Sequence, residues 1–292
     1  MIIGKLLAEE LKKNDIDKLY VGHEKPELQH LAIKMLLRNY GLIDTDINAL
    51  KVKEEEGIQL FKGRGEEKVK YLFGKGGKKV EIPLPKYPLI VIDMGLFNEL
   101  EEEEKKKTLL QVEVTLSVIR KWLWDGNLAL IHSSLPLSIG KVKIINDIES
   151  DNCIVLDPYG DTVADEDVIR STDIFIIGGI VDKGRRLKYA TSKLAEKYNY
   201  PCKRVKIMLR NSIVGVPDEI NKIVNIVLKV KFGGKLEDTI IENQSKSDKI
   251  SRILRDVSLY GREILDEEVR WLKVDEKTYK LVLSRLQQEV RP

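Results

Sequence analysis

The sequence predicts an α/β fold: a parallel sheet with helices on both faces, preceded by a small α+β region and followed by a small helical one. Three observations predict it. Short apolar runs, LIVID (89–93), LALIH (128–132), CIVLD (153–157), IFIIGG (174–179) and RVKIML (204–209), recur with helical patterns between them, the signature of strands buried on both faces. A long amphipathic segment follows the first run, with Leu109, Val112, Leu116, Ile119 and Leu123 spaced by three and four. Composition also breaks at PLPKYP (83–88), which continues neither a helix nor a central strand, and again at Gly233-Gly234. The predicted domains are therefore 1–82, 83–234 and 235–292.

In the first region, LAEELKKN and PELQHLAIKMLLRNYG read as helices, while GIQLFKGRG and KVKYLFGKGGKKVEI read as separate strand-like segments. In the second, glutamates 101–103 precede lysines 105–107 by four residues, which supports the long helix. RLKYATSKLAEKYN and DEINKIVNIVLKVK read as two more helices. In the third, EEVRWLKV and EKTYKLVLSRLQQEV are helical, and Tyr260, Trp271 and Tyr279 read as helix-core aromatics rather than exposed stackers for RNA bases.

Composition narrows function. The 292 residues are 42% hydrophobic and supply a sizeable core. The longest stretch without a charged residue, Gly126 to Gly140, is too short to span a bilayer. The N-terminus lacks the order of a signal peptide, so a cytoplasmic protein is expected. Cys153 and Cys202 lie in no CxxC or Cys/His cluster, so neither a structural disulfide nor a zinc site is expected. His23, His30 and His132 have no metal-ligand spacing, and no metal is expected. GxGxxG, Walker and GxSxG motifs are absent, and FGKGGKK (73–79) reads as a glycine-rich turn between strands.

The net charge of +3 conceals an asymmetry. From Lys183 to Arg210 ten Lys/Arg face one acid, Glu196, and such a field attracts a phosphate backbone. Lys62 to Lys86 is basic as well, marking the N-terminal region as a second RNA-binding candidate. At the head of the first basic run stands GGIVDKGRR, a glycine pair at a strand end followed by the carboxylate of Asp182. In α/β sheets ligands sit beyond the carboxyl ends of the strands, where VIDMG, LDPYGD, GGIVDKG and LRNSIVG all fall.

At GGIVDKGR the sequence resembles the Trm10 family of tRNA methyltransferases, members of the SPOUT superfamily that modify N1 of the purine at tRNA position 9. PLIVIDMG, CIVLDPYGD, PCKRVKI and SIVGVPDEINKIVNIVL extend the resemblance over roughly 85–232, and residues 235–292 resemble an extension found in archaeal relatives. The resemblance implies a SPOUT-type sheet with a C-terminal trefoil knot, S-adenosylmethionine as cofactor, S-adenosylhomocysteine as its product, tRNA as partner and a monomer. It places the cofactor among Leu156, Asp157, Gly178, Gly179, Asp182, Lys183, Ile207, Val214 and Val216. The glycines let backbone approach a flat adenosine, with the last three residues as apolar walls. Arg185, Arg186, Lys188, Lys203 and Arg204 are the expected phosphate contacts. Asp182 is the first catalytic candidate, as a general base for guanine or an acceptor and electrostatic partner for a cationic methyladenine. Asp93 is the second, orienting the flipped base. Adenine is favoured, with guanine or both as alternatives. A non-catalytic RNA-binding protein and another SPOUT RNA methyltransferase are the rival readings, and a nicotinamide oxidoreductase is disfavoured by the missing glycine fingerprint.

Overall fold

The computed structural model describes residues 1–133, 139–180 and 189–288. Apolar spacing accounts for the first helix: α1 (Ile2–Lys13) buries Ile3, Leu7 and Leu11, each four residues after the last, and carries Lys12 and Lys13 in its final turn. β1 (Lys18–Tyr20) and α2 (Leu28–Leu37) lead into a long antiparallel hairpin, β2 (Tyr40–Glu55) and β3 (Ile58–Lys75). Glu56 and Gly57 close it with φ of 48° and 75°, the doubly positive turn whose twist suits two strands. β1 adds parallel to β3, giving the order β1-β3-β2.

This hairpin corrects the reading of the N-terminal region. IQLFKGRG, after the turn glycine, and KVKYLFGK belong to one 18-residue strand, and YGLIDTDINALKVKEE forms its 16-residue partner. The pairing register shifts between Asp44 and Ile47, Ala49 and Leu50, and Lys51 and Lys53. Each shift interrupts the two-residue alternation by which a strand is recognised. The turn end of the hairpin packs with α1 and α2 around Leu7, Leu11, Leu31, Met35, Ile58 and Leu60. Buried Gln29 accepts from Gly4 N at 2.9 Å and donates to the carbonyls of Arg120 and Leu123 at 3.0 and 2.9 Å.

The remaining elements are β4 (Leu89–Asp93), α3 (Glu102–Trp122), β5 (Leu128–Ile131), β6 (Lys143–Ile145), β7 (Cys153–Leu156), β8 (Thr162–Val163), α4 (Glu166–Ser171), β9 (Ile174–Gly178), α5 (Ala190–Lys197), β10 (Lys203–Lys206) and α6 (Ile220–Lys231). α7 (Leu236–Asn243), α8 (Lys246–Tyr260), α9 (Leu265–Trp271) and α10 (Glu276–Gln288) complete the chain. Four apolar runs form strands and the fifth, RVKIML, does so only over its first three residues, in β10; in α3 Val112, Leu116 and Ile119 are buried as the spacing requires, Leu109 is half-buried, and Leu123 is buried just after the helix. The seven-stranded sheet runs β6-β5-β4-β9-β7-β10-β8, with β9, β7, β10 and β8 paired in parallel. Two compact units emerge: Met1–Leu89, Leu116–Ala129 and Ser134–Ile144 form one, and Ile90–Thr115, Leu130–Ser133 and Ile145–Pro292 the other.

Two expectations fail. Cys153 and Cys202 are joined by a disulfide, with Cα atoms 4.9 Å apart. A sequence separation of 49 conceals the reason: β7 and β10 are neighbours, Lys203 pairs with Ile154, and one step earlier Cys153 opens β7 and Cys202 immediately precedes β10. The helix-core reading of Tyr260 also fails, since the residue is 62% exposed at the end of α8. Trp271 and Tyr279 are half-buried.

Candidate active site

Strand order gathers the predicted loops. β7 lies between β9 and β10, and Leu156 is flanked by Ile177 on one side and Val205 on the other. The segments after those three positions, Gly178-Gly179, Asp157 and Lys206-Ile207, therefore leave one edge of the sheet together. β4 lies on the far side of β9, and Gly179 N donates to the Asp93 carbonyl at 2.8 Å. From β4 the chain passes to β5 on one side and later to β9 on the other. This is the switch in strand order at which open α/β sheets bind ligands.

Asp93 is the best-connected carboxylate at this edge. It is 1% exposed; Oδ1 accepts from Gly95 N at 2.9 Å and pairs with His132 Nδ1 at 3.0 Å, while Oδ2 accepts from the Tyr200 hydroxyl at 2.6 Å. The Tyr200 hydroxyl also lies 3.3 Å from His132 Nδ1, and the Tyr198 ring stacks on His132 with centroids 3.4 Å apart. Burial, reinforced by the Asp93 carboxylate, raises the Tyr200 pKa far above its ordinary value, so the phenol remains a donor. A carboxylate only accepts, so opposite Asp93 Oδ1 the His132 Nδ1 is the donor nitrogen, the tautomer whose Nε2 is the acceptor. Asp93 so placed orients a histidine, a tyrosine and the turn at Gly95. Sequence reading did not find His132 or Tyr200 as partners. His132 shows only as a lone histidine ending a strand, and nothing in the sequence around Tyr200 links it to a residue 107 positions away.

Among the cofactor candidates, Leu156 and Ile207 are buried, and Val214 and Val216 are half-buried. Asp157 is also buried: it accepts from Ser192 Oγ at 2.5 Å and Tyr159 N at 3.0 Å, fixing the turn after β7 to α5. Gly178 and Gly179 offer backbone without side chains, and both are tightly seated. A Cβ on Gly179 would lie 2.8 Å from the Asp93 carbonyl oxygen and 2.7 Å from Met94 Sδ. The turn after β10 is closed by paired bonds between Leu209 and Ser212, with Arg210 and Asn211 both at positive φ, 42° and 60°. The glycine pair at the end of β9, with Leu156 and Ile207 buried at the same edge of the sheet, suits a flat heteroaromatic group such as adenosine.

Of the RNA-contact candidates, Lys203 is exposed. Arg204 binds Asp161 at 3.0 Å and lies 3.6 Å from Glu196 and 3.8 Å from Asp157, and its charge is already matched by acids. Asp182, Lys183, Arg185, Arg186 and Lys188 lie outside the described residues. Among the described residues no group of His, Cys, Asp and Glu could hold a metal ion, and no helix is long and apolar enough to cross a membrane.

Comparison with known proteins gives these residues a context. Residues 1–74 match the family model of the tRNA (adenine(9)-N1)-methyltransferase N-terminal domain, and residues 245–285 that of its C-terminal domain. The chain is 53% identical, over 98% of its length and 99% of the relative's, to a Sulfolobus acidocaldarius protein named tRNA (adenine(9)-N1)-methyltransferase. The chain belongs to the Trm10 family. A crystal structure of Sulfolobus acidocaldarius Trm10 in complex with S-adenosylhomocysteine superposes with a TM-score of 0.90 at 49% identity, covering 98% of this chain and 99% of that one. A more distant Trm10 relative, the tRNA (guanine(9)-/adenine(9)-N1)-methyltransferase of Thermococcus kodakarensis, is 29% identical over 70% of this chain and 63% of its own length. The mixed α/β sheet described above is thus the SPOUT-type sheet of Trm10 proteins.

Proposed function

We propose that the chain methylates N1 of the purine at position 9 of tRNA, adenine in the first place, with S-adenosylmethionine as methyl donor and S-adenosylhomocysteine as product. The observation that carries this reading is similarity along essentially the whole chain, 53% identity over 98% of it, to a relative named for the adenine-9 reaction. The S-adenosylhomocysteine complex of a protein with the same fold supports the choice of cofactor. In this reading Gly178, Gly179, Leu156, Ile207, Val214 and Val216 line the cofactor, joined by Asp157 and by Lys183 and Asp182 of the segment that follows β9. Bound there, the cofactor supplies an electrophilic methyl group.

Adenine N1 presents a lone pair and needs no proton removed before attack, whereas guanine N1 must lose one. Asp182 fits either case, as acceptor and electrostatic partner for the cationic methyladenine or as general base for guanine. Asp93 acts through His132 and Tyr200 as an orienting group. Lys203, with Arg185, Arg186 and Lys188, forms the phosphate-contacting surface, to which Arg204, already paired with Asp161, adds less. Position 9 lies in the tRNA core, so the base is extruded before reaction. The same reading takes the chain as three parts, 1–82, 83–234 and 235–292, with the family's trefoil knot in the middle one, acting as a cytoplasmic monomer.

The test is nucleoside mass spectrometry of transcripts carrying A or G at position 9 after incubation with protein and S-adenosylmethionine. N1-methyladenosine at position 9 is expected, at a higher single-turnover rate than any N1-methylguanosine. Binding of tRNA with neither product, and no calorimetric signal for S-adenosylmethionine, would instead establish the non-catalytic RNA-binding reading.

A further inference from the structure

The turn that follows β10 is conformationally costly. Arg210 and Asn211 both occupy the left-handed region, and Gly215 has φ of 89°. Asparagine tolerates that region, but arginine does not favour it. Such backbone persists only where its surroundings hold it, and it collects at functional sites.

The surroundings here are the C-terminal helices. Arg252 on α8 is 3% exposed, and its guanidinium donates to the carbonyls of Leu209 at 2.5 Å, Val214 at 3.3 Å and Arg210 at 3.4 Å. Its Nε is fixed by Asp256 one helical turn on, which also binds Arg255. Gln244, just before α8, donates to the Gly215 carbonyl at 2.8 Å. The Arg252 stem fills the place a side chain at Gly215 would need: a methyl added to that glycine would lie 2.8 Å from the Arg252 Cβ. Arg210 lies over the Trp271 ring at 3.8 Å and 3.5 Å from Glu237, which accepts from Trp271 Nε1 at 2.7 Å. Four backbone carbonyls of residues 209–215 are thus bound by two side chains of the C-terminal region. A planar guanidinium reaches three of them at once, which an ammonium cannot do.

We propose that the C-terminal helices clamp the cofactor loop, with Arg252 and Gln244 as positioning residues that set the affinity for S-adenosylmethionine. The proposal rests on the reading of residues 207–216 as part of the cofactor site. It assigns the C-terminal region a task at the cofactor, separate from any contact with RNA.

The experiment uses the full chain as wild type, Arg252→Lys, Gln244→Ala and, as a control, Gly178→Val. Hydrogen exchange of amides 209–216 without ligand, calorimetric S-adenosylmethionine affinity and tRNA affinity at fixed salt are measured on each. Arg252→Lys is expected to accelerate loop exchange and weaken S-adenosylmethionine about tenfold, and Gln244→Ala about threefold, with tRNA affinity held within about twofold. If Arg252→Lys fails to fold, Gln244→Ala decides alone. Unchanged loop exchange in a folded variant overturns the clamp. Faster exchange with unchanged S-adenosylmethionine affinity, while Gly178→Val still loses binding, overturns the proposal and leaves the cofactor site standing. Unchanged affinity in Gly178→Val as well removes the cofactor site itself, and the proposal with it. Equal losses of tRNA and S-adenosylmethionine affinity mark a general structural role and also overturn it.

Discussion

Gly179→Ala is the sharpest test of the strand-edge geometry. The added methyl would meet Met94 Sδ at 2.7 Å, the Asp93 carbonyl oxygen at 2.8 Å and Ile92 Cγ2 at 3.0 Å. Methionine can swing away, but the carbonyl is backbone, and it already accepts the Gly179 N–H at 2.8 Å. Relief therefore requires β4 and the end of β9 to separate, which strains or breaks that bond. Overpacking of this kind costs about 1–3 kcal/mol. At roughly 2–4 °C per kcal/mol for a domain of this size class, the melting temperature should fall by several degrees. The displacement moves the backbone assigned to adenosine, so S-adenosylmethionine affinity should fall about tenfold or more. Gly178→Ala is the internal comparison: its nearest neighbours are side-chain atoms, Thr191 Oγ1 at 2.7 Å and Ile180 Cδ1 at 3.2 Å, which can rotate. It should cost less in both measurements. Differential scanning calorimetry and titration calorimetry on the two variants supply the test. A Gly179→Ala protein as stable as wild type, with unchanged cofactor affinity, would refute the argument.

Three other outcomes are expected. Tyr200→Phe removes one donor from buried Asp93; a hydrogen bond to a charged group contributes about 1.5–3 kcal/mol, so denaturant melts should show a loss of that order, and an unchanged midpoint would mean Asp93 is satisfied without it. Lys203→Ala should weaken tRNA binding and lower the slope of log affinity against log salt by about 0.9, whereas Arg204→Ala should change the slope less, because Asp161 already pairs with it; equal slope changes would undo that distinction. Mass spectrometry without reductant should find Cys153 joined to Cys202, and from the loop between them replacement of both by serine should cost about 4 kcal/mol in the chain-entropy account; two free thiols in the native protein would contradict the pairing.

Much of this protein is legible in its sequence because local rules suffice for it. Four strands, β4, β5, β7 and β9, are short, largely apolar runs and the long helix is a three-and-four spacing, so burial on both faces or on one stripe writes them directly into residue order. The chemistry-bearing loops are legible too, since glycines and aspartates gather where strands end. Other features depend on which elements become neighbours, and residue order does not encode that. Cys153 meets Cys202 only because β10 docks beside β7. Asp93 acquires Tyr200 and His132 because three segments far apart in the chain converge at one edge of the sheet. Arg252 reads in the sequence as one more cation in a charge-balanced helical region, and the structure alone turns it inward onto the carbonyls of Leu209, Arg210 and Val214. Local pattern determined the elements and the loops between them. Tertiary packing decided the pairings, because a buried charge or donor is satisfied by whatever the fold brings within about 3 Å, however distant in sequence.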